Sequence, residues 1–209
     1  MKDKSVKKQK KLAAENLRQT NYENRRDQLL NQGYTQYIGV ISVAKANAMA
    51  FVTAGPFALA IVILYLLAHQ GFAWHIRWYG LASFIIAIIL SIPLHEFIHG
   101  LTWHFFCKEK WRSIHFGVMW DTLTPYCHCK EPLSFGAYIA GGLAPFFLLG
   151  LVPGLIGVVL GSMFWLWLGI FNILCAGGDT TICWLLRKYS DCLILDHYKE
   201  CGFVAFRKS

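Results

Sequence analysis

The stretch that decides the fold is YGLASFIIAIILSIPLHEFIHGLTWHFF, residues 79–106. As a helix it is long enough to cross a bilayer, which takes about 20 apolar residues. It nevertheless contains His95, Glu96 and His99, and a charged side chain at the centre of a membrane helix costs about 2.5–3.5 kcal/mol unless it has a partner or a function. The two histidines are four residues apart, so they project from one face of a helix. The stretch therefore predicts a membrane-spanning helix that carries a metal site.

Three further apolar segments are long enough to span a bilayer. They cover residues 48–69, 136–160 and 163–186. The chain has 209 residues, of which 56% are hydrophobic and 15% charged, whereas about 25% of the residues in a soluble domain are charged. We therefore predict an all-α integral membrane protein with about four transmembrane helices.

The basic residues are unevenly distributed around these four segments. Ten Lys or Arg precede the first, four lie between the second and third, and five follow the fourth. The loop between the first and second contains only Arg77, and the link between the third and fourth contains none. The positive-inside rule then predicts a multi-pass protein of the cell membrane with both termini and the 106–135 loop in the cytoplasm.

The chain divides into three regions on this pattern. Residues 1–33 are predicted to form a basic cytoplasmic arm, helical or partly disordered, and residues 34–186 the four-span membrane domain. Residues 187–209 form a cytoplasmic tail with two short apolar pieces that suit a small hairpin. Tyr34–Val43 favours a short strand or an interfacial segment. The net charge of +8 belongs to flanks that face an anionic leaflet, so the predicted partner is the lipid bilayer rather than nucleic acid.

The loop between the second and third spans contains two strand-like pieces, Arg112–Trp120 and Thr122–His128. They predict a small cytoplasmic β-hairpin that turns near Asp121. Because this loop begins just after the helix that carries the metal motif, the hairpin is expected to lie along the mouth of the metal site.

Cysteine usage leaves one alternative open in this loop. All seven cysteines lie in predicted spans or cytoplasmic segments, which argues against disulfides. Cys127 and Cys129 flank His128, and with His115 they could form a second metal site, although paired C-x-x-C spacing is absent. A role in lining the mouth of the first site is the alternative.

The His95–His99 pair with Glu96 between them matches the H-E-x-x-H pattern, in which both histidines bind Zn²⁺ and the glutamate acts as a base. A hydrolytic zinc site needs three protein ligands and one open position for water. A third histidine on the same helix is excluded: Phe105 stands six residues after His99, and His104 lies about 140° round the helix from it. The third ligand must therefore come from another segment.

Asp179 is the best candidate for that ligand. His99 and Asp179 each lie seven residues before the cytoplasmic end of their predicted spans, which places both about 10 Å below the cytoplasmic surface. Glu131 is the alternative ligand, although it lies in an aqueous loop. Asn172, seven residues before Asp179, is a candidate for holding the substrate or stabilising an oxyanion.

The motifs together resemble a known family. HEFIHG (residues 95–100), CHCKEPL (127–133), Ala144-Pro145 and the 172–179 segment that ends in Gly-Gly-Asp are similar to a bacterial family of membrane proteins described as putative zincin peptidases. A more distant resemblance is to the site-2 proteases, which also combine H-E-x-x-H in one membrane helix with an aspartate in a later one. The resemblance implies zinc held by His95, His99 and Asp179, with Glu96 as the base.

The predicted function is therefore intramembrane zinc metallopeptidase activity, in which Glu96 activates a zinc-bound water near the cytoplasmic membrane face. The substrate would be a peptide or a membrane protein. Two alternatives stay open. A metal-ion binding or transport protein would also place His and carboxylate side chains at depth, and a non-catalytic membrane scaffold would keep the fold without the chemistry.

Overall fold

The computed structural model describes residues 2–72, 78–119, 124–198 and 200–208. These residues form eight α-helices and six β-strands. The helices are α1 (Lys2–Asn31), α2 (Val43–Thr53), α3 (Gly55–His69), α4 (Trp78–Phe106), α5 (Phe135–Pro145), α6 (Val152–Leu160), α7 (Met163–Cys175) and α8 (Gly177–Leu186). The strands are β1 (Tyr34–Ile41), β2 (Ile114–Met119), β3 (Thr124–Cys129), β4 (Leu133–Ser134), β5 (Leu193–Asp196) and β6 (Cys201–Lys208).

Among the described residues, three helical stretches are apolar and long enough to cross a membrane. They are Ala44–His69, Trp78–Phe106 and Phe135–Leu160, close to the first three predicted spans. The third includes a π-helical stretch, Phe146–Leu151, directly after Pro145; prolines are tolerated in membrane helices through adjustments of this kind. The chain is therefore consistent with a multi-pass membrane protein.

The fourth predicted span is not one straight helix. α7 and α8 meet at an angle of 47°, with Ala176 between them. Gly177 follows the break, and a Cβ there would lie 2.2 Å from the Cβ of Ala50 on α2. The helix break and the close neighbour coincide at this glycine, because glycine disfavours helix continuation and leaves room for a close neighbour. α7 and α8 form a fourth span only if the two helices are counted together.

The description as all-α needs correction, because the mostly helical chain also contains a four-stranded antiparallel sheet. Its strand order is β1-β6-β5-β4. β1 pairs with β6 along its whole length, from Tyr34 opposite Lys208 to Ile41 opposite Cys201. The short strand expected near Tyr34–Val43 and the expected tail hairpin are thus parts of one sheet. This pairing joins the two ends of the chain, and local sequence pattern does not encode contacts of such long range.

α1 packs against this sheet. Tyr22 and Leu29 are buried and contact Leu195, Val204 and Phe206. The two α1 residues are seven apart and therefore lie on one helix face. The N-terminal arm, which appeared to have too few apolar positions for a core, uses this one face to hold the sheet.

β2 and β3 form a separate two-stranded antiparallel hairpin. Ile114 pairs with Cys129 at one end and Met119 with Thr124 at the other. The predicted turn near Asp121 lies outside the described residues. The hairpin connects the C-terminal end of α4 to the start of α5, so it lies beside the helix that carries the metal motif.

Candidate metal centre

Three side chains from two helices meet in the interior. The His95 Nε2 atom lies 3.1 Å from Asp179 Oδ2, and the His99 Nε2 atom lies 3.0 Å from His95 Nε2 and 3.5 Å from Asp179 Oδ1. His99 is buried, with 4% of its surface exposed, while a quarter of the Asp179 side chain is accessible. The structure thus brings together the three residues predicted as ligands, and α8 supplies the carboxylate to two histidines on α4.

His99 is oriented by a contact on its other ring nitrogen. Its Nδ1 atom lies 2.8 Å from the carbonyl oxygen of Gly141 on α5. This carbonyl can only accept a hydrogen bond, so Nδ1 carries the proton and the lone pair on Nε2 faces Asp179 and His95. Metal-binding histidines typically use their second nitrogen in this way.

Gly141 also allows a tryptophan to support the same ring. Trp103 stacks on His99, with ring centroids 5.4 Å apart and an interplanar angle of 17°. A Cβ at Gly141 would lie 2.1 Å from the Trp103 Nε1 atom. That nitrogen donates to the carbonyl oxygen of Tyr138 at 3.2 Å. α5 therefore fixes both the tautomer and the plane of His99.

The spacing of the ligand groups fits zinc. Ligands at about 2.0–2.1 Å from a tetrahedral zinc ion lie about 3.3 Å from one another. The two histidine nitrogens are 3.0 Å apart, and each lies near a different oxygen of Asp179, at 3.1 and 3.5 Å. Two imidazole nitrogens and one carboxylate also match the donor types that zinc prefers. Among the described residues, no other group of three or more His, Cys, Asp or Glu side chains comes this close together.

Glu96 lies beside the centre without belonging to it. Its half-buried carboxylate accepts a hydrogen bond from the backbone N–H of Cys127 on β3 and interacts electrostatically with both histidines. It also lines a cavity of about 610 Å³ between α4 and the β2–β3 hairpin. Among the described residues that line this cavity, Glu96 has the only carboxylate. The rest of the lining includes Pro93, Phe97, Phe116, Val118 and Tyr126.

The glycine that ends the motif lets the hairpin approach α4. A Cβ at Gly100 would lie 2.5 Å from the Phe116 ring and 2.9 Å from Ile114. The hairpin therefore packs directly on the helix turn after His99. This contact forms one wall of the cavity that Glu96 lines.

Comparison with protein families gives a match over the region that holds these residues. A family model described as "Putative zincin peptidase" matches residues 88–194, just over half of the chain. The chain belongs to this family. No curated protein matches, and no solved structure matches.

Asn172 is not aligned with Asp179 on one straight helix. Asn172 lies on α7, and the 47° bend before α8 means that their seven-residue spacing does not place them on a common face. The Asn172 side chain is buried, and its Nδ2 atom donates to the carbonyl oxygen of Leu168 at 2.9 Å. The hydrogen bond that the structure gives this amide thus lies within α7.

Glu131 lies away from the metal centre and has another role. Its carboxylate accepts from the backbone N–H groups of Lys108 at 2.9 Å and Glu109 at 2.8 Å, and from the hydroxyl of Ser113. Burial opposes its ionisation, but these hydrogen bonds outweigh burial and hold the pKa of Glu131 below its usual value. Its oxygens are therefore committed to the segment that links α4 to β2.

The alternative second metal site does not assemble among the described residues. The Cys129 Sγ atom lies 3.4 Å from Cys107 Sγ, whereas Cys127 approaches Glu96 and His128 approaches Asp196 at 3.6 Å. Alternate strand residues point to opposite faces, so His128 is directed away from its two neighbours. Burial raises the pKa of the Cys127 thiol well above its usual range, which keeps it neutral beside the metal centre.

Sequence reasoning missed two contributors to the metal centre. The Gly141 carbonyl and the backbone N–H of Cys127 were not among the predicted site groups, and the N–H of Cys127 has no side-chain signature at all. Both act through the main chain. The sequence offers one indication of the Gly141 contact: Gly141 and Gly142 form a glycine pair, and such a pair inside a membrane helix often marks the close approach of another helix.

Proposed function

We propose that this protein is an intramembrane zinc metallopeptidase that hydrolyses a peptide bond near the cytoplasmic membrane face. The observation that carries this proposal is the convergence of His95, His99 and Asp179 at the spacing of zinc ligands. Membership in the zincin peptidase family supports the same reaction class.

The roles of the residues follow from their positions. His95, His99 and Asp179 would hold the zinc ion, which supplies Lewis-acid activation of the scissile carbonyl and of water when bound. Glu96 takes a proton from the attacking water and returns it to the leaving amine. Its link to the backbone N–H of Cys127 keeps the carboxylate oriented beside the histidines.

The sheet supports the proposed topology. β1 directly precedes α2, and β6 follows α8, yet the two strands pair over eight residues. Strands cannot pair across a bilayer, because unpaired backbone groups are not tolerated within the hydrocarbon region. The chain segments before the first span and after the last one therefore lie on the same side, and the basic residues of these flanks favour the cytoplasmic side.

The cavity beside Glu96 is the proposed substrate site. Its walls are formed by α4 and the β2–β3 hairpin and are mostly apolar, so they suit an apolar peptide segment. Proteases hold substrates extended, and a hairpin offers backbone partners to an extended chain. The proposed substrate is a peptide or a membrane-protein segment that enters between helix and hairpin.

The metal content of the purified protein tests the site. Wild type is expected to carry about one zinc per chain, with His95→Ala and Asp179→Asn largely metal-free, because each loses one of three ligands. His104→Ala is the matched control, since His104 is on the same helix and stacks on Trp111 instead. Elemental analysis after chelator-free purification provides the measurement. Wild type without stoichiometric zinc would contradict the proposal.

Glu96→Gln separates catalysis from metal binding. It is expected to keep its zinc and to lose at least 100-fold in hydrolysis of a peptide library in detergent, because general-base catalysis contributes about 10²–10⁴-fold. If the zinc-loaded Glu96→Gln variant hydrolyses as fast as wild type, the role of Glu96 is wrong. If neither protein hydrolyses any peptide while both bind zinc, a metal-binding scaffold or a transporter becomes the better account.

A further inference from the structure

A cluster of hydroxyl groups joins α2 to the first turn of α8. The Thr53 Oγ1 atom lies 2.8 Å from Thr180 Oγ1 and 3.1 Å from Thr181 Oγ1. Each α8 hydroxyl also lies within hydrogen-bonding distance of the carbonyl oxygen of Gly177, at 3.0 and 2.8 Å. Because each hydroxyl has one proton, Thr181 can donate to Gly177 while Thr180 donates to Thr53. Thr181 is fully buried and Thr180 nearly so. The mechanism above uses none of these three threonines.

The same interface brings the two helices into close contact at Gly177. A Cβ on Gly177 would lie 2.2 Å from the Cβ and 2.9 Å from the Cα of Ala50. Thr53 stands one helix turn after Ala50 and also donates to its own helix, to the carbonyl oxygen of Met49 at 3.1 Å. Close backbone contact with cross-helix hydroxyl bonds is a common way to fix helix pairs in membranes.

This interface matters to the metal centre because of the break before α8. A ligand on a continuous helix inherits its direction from the preceding turns, but the 47° bend separates Asp179 from α7. Successive residues on a helix are rotated by about 100°, so Thr180 and Thr181 lie about 100° and 200° round the helix from Asp179. The threonines face α2, and the aspartate faces the histidines of α4.

We propose that Thr53 is a positioning residue for the metal centre. By accepting a hydrogen bond from Thr180 and lying against Thr181, it fixes the rotation of α8 and thereby the direction of Asp179. The effect of Thr53 on zinc binding rests on the function proposed above. The contact by which Thr53 holds α8 in place does not depend on a bound metal.

The test compares three variants of the full chain purified in detergent. Thr53→Val keeps the shape and removes the hydroxyl, and Thr53→Ser keeps the hydroxyl. Thr102→Val is the matched control, because Thr102 lies three residues after His99 but bonds only to the carbonyl oxygen of Ile98 in its own helix. Thr53→Val is expected to bind zinc about tenfold more weakly, in line with the effect of removing outer contacts of a metal site. Thr53→Ser and Thr102→Val are expected to stay within about twofold of wild type.

Two further measurements distinguish positioning from general stability. The visible spectrum of the Co²⁺-loaded protein should change in Thr53→Val and return to the wild-type spectrum in Thr53→Ser. In metal-free protein, the amides of α8 should exchange hydrogen faster in Thr53→Val than in Thr102→Val. Equal hydrogen-exchange rates of the α8 amides in these two variants would show that Thr53 does not hold α8.

The two proposals fail in different ways. If wild type binds no zinc, the proposed function fails, and the exchange rates still decide whether Thr53 holds α8. If wild type binds zinc and Thr53→Val binds it as tightly with an unchanged spectrum, the proposed function stands and the positioning role of Thr53 is wrong.

Discussion

Gly141 meets two requirements of the metal centre at one residue. Its carbonyl oxygen accepts the Nδ1 proton of His99 at 2.8 Å, and its missing side chain leaves space for the Trp103 indole that stacks on the same ring. A residue with a side chain could supply the carbonyl but would displace the tryptophan. The orientation of a metal ligand on α4 is thus decided by the backbone of α5.

Gly141→Ala is predicted to weaken zinc binding by about 10–100-fold, the usual effect of disturbing the groups that orient a ligand. The added Cβ would lie 2.1 Å from Trp103 Nε1, so either the indole or the backbone must move, and His99 with it. Competition titration with a chelator measures the change. Gly136→Ala on the same helix is the control, because a Cβ there meets no atom within 4 Å; equal affinities in both variants would contradict the role of Gly141.

At the scale of elements, the metal centre depends on how α4, α8 and the β2–β3 hairpin are held together. Glu131 organises one of these connections by accepting two backbone hydrogen bonds and one from Ser113 at the link between α4 and β2. Gly100 gives the hairpin direct access to the helix. These contacts determine how the wall of the cavity lies against Glu96.

Glu131→Gln is predicted to lower the free energy of unfolding at pH 7 by about 2 kcal/mol, the scale of lost hydrogen bonds to a charged group. The folded protein lowers the pKa of Glu131, so its contribution is present above the unfolded pKa and is lost as the pH falls through the lower folded value. The difference between wild type and variant should therefore shrink below about pH 4.5. Unfolding curves measured from pH 3 to 7 test this.

Glu109→Gln is the control for this pH dependence. Glu109 is next to the same link, but its side chain is 56% exposed and pairs with Arg25, and exposed ion pairs contribute little to stability. A difference between wild type and Glu131→Gln that stays constant down to pH 3 would mean that ionisation of Glu131 is not the source of its effect.

At the scale of the whole molecule, the four-stranded sheet gathers three distant parts of the chain. β1 precedes the first helical stretch, β4 begins α5, and β5 and β6 follow α8. β1 and β4 each lead into an apolar helical stretch, and β5 follows α8. The sheet therefore brings the ends of these helices together, and under the proposed topology they lie on one side of the membrane. His99 is seven residues, or about 10 Å, from the end of α4.

Cysteine labelling of intact cells tests this arrangement. Ser162→Cys, in the link between α6 and α7, should react with a membrane-impermeant maleimide added outside. Lys130→Cys and Lys208→Cys should react only after permeabilisation, because both lie on the side of the sheet. Wild type provides the baseline for the seven native cysteines. Labelling of Lys208→Cys from outside would contradict the topology.

The sequence alone determined the helices that carry the site and the identity of its three candidate ligands. A run of apolar residues specifies a membrane helix through local hydrophobicity, and the spacing of His95 and His99 follows from helix geometry. Asp179 could be selected because ionisable residues are costly in such segments and its depth matches that of His99.

Only the tertiary structure decided how these groups are oriented. The bend before α8, the carbonyl of Gly141 and the hydroxyl of Thr53 act through contacts between helices that are far apart in sequence. The four-stranded sheet, absent from the all-α prediction, likewise depends on the pairing of β1 with β6. Local patterns encode burial and periodicity, whereas backbone contacts and long-range pairing form only when the whole chain packs, and they leave no periodic signal in the sequence.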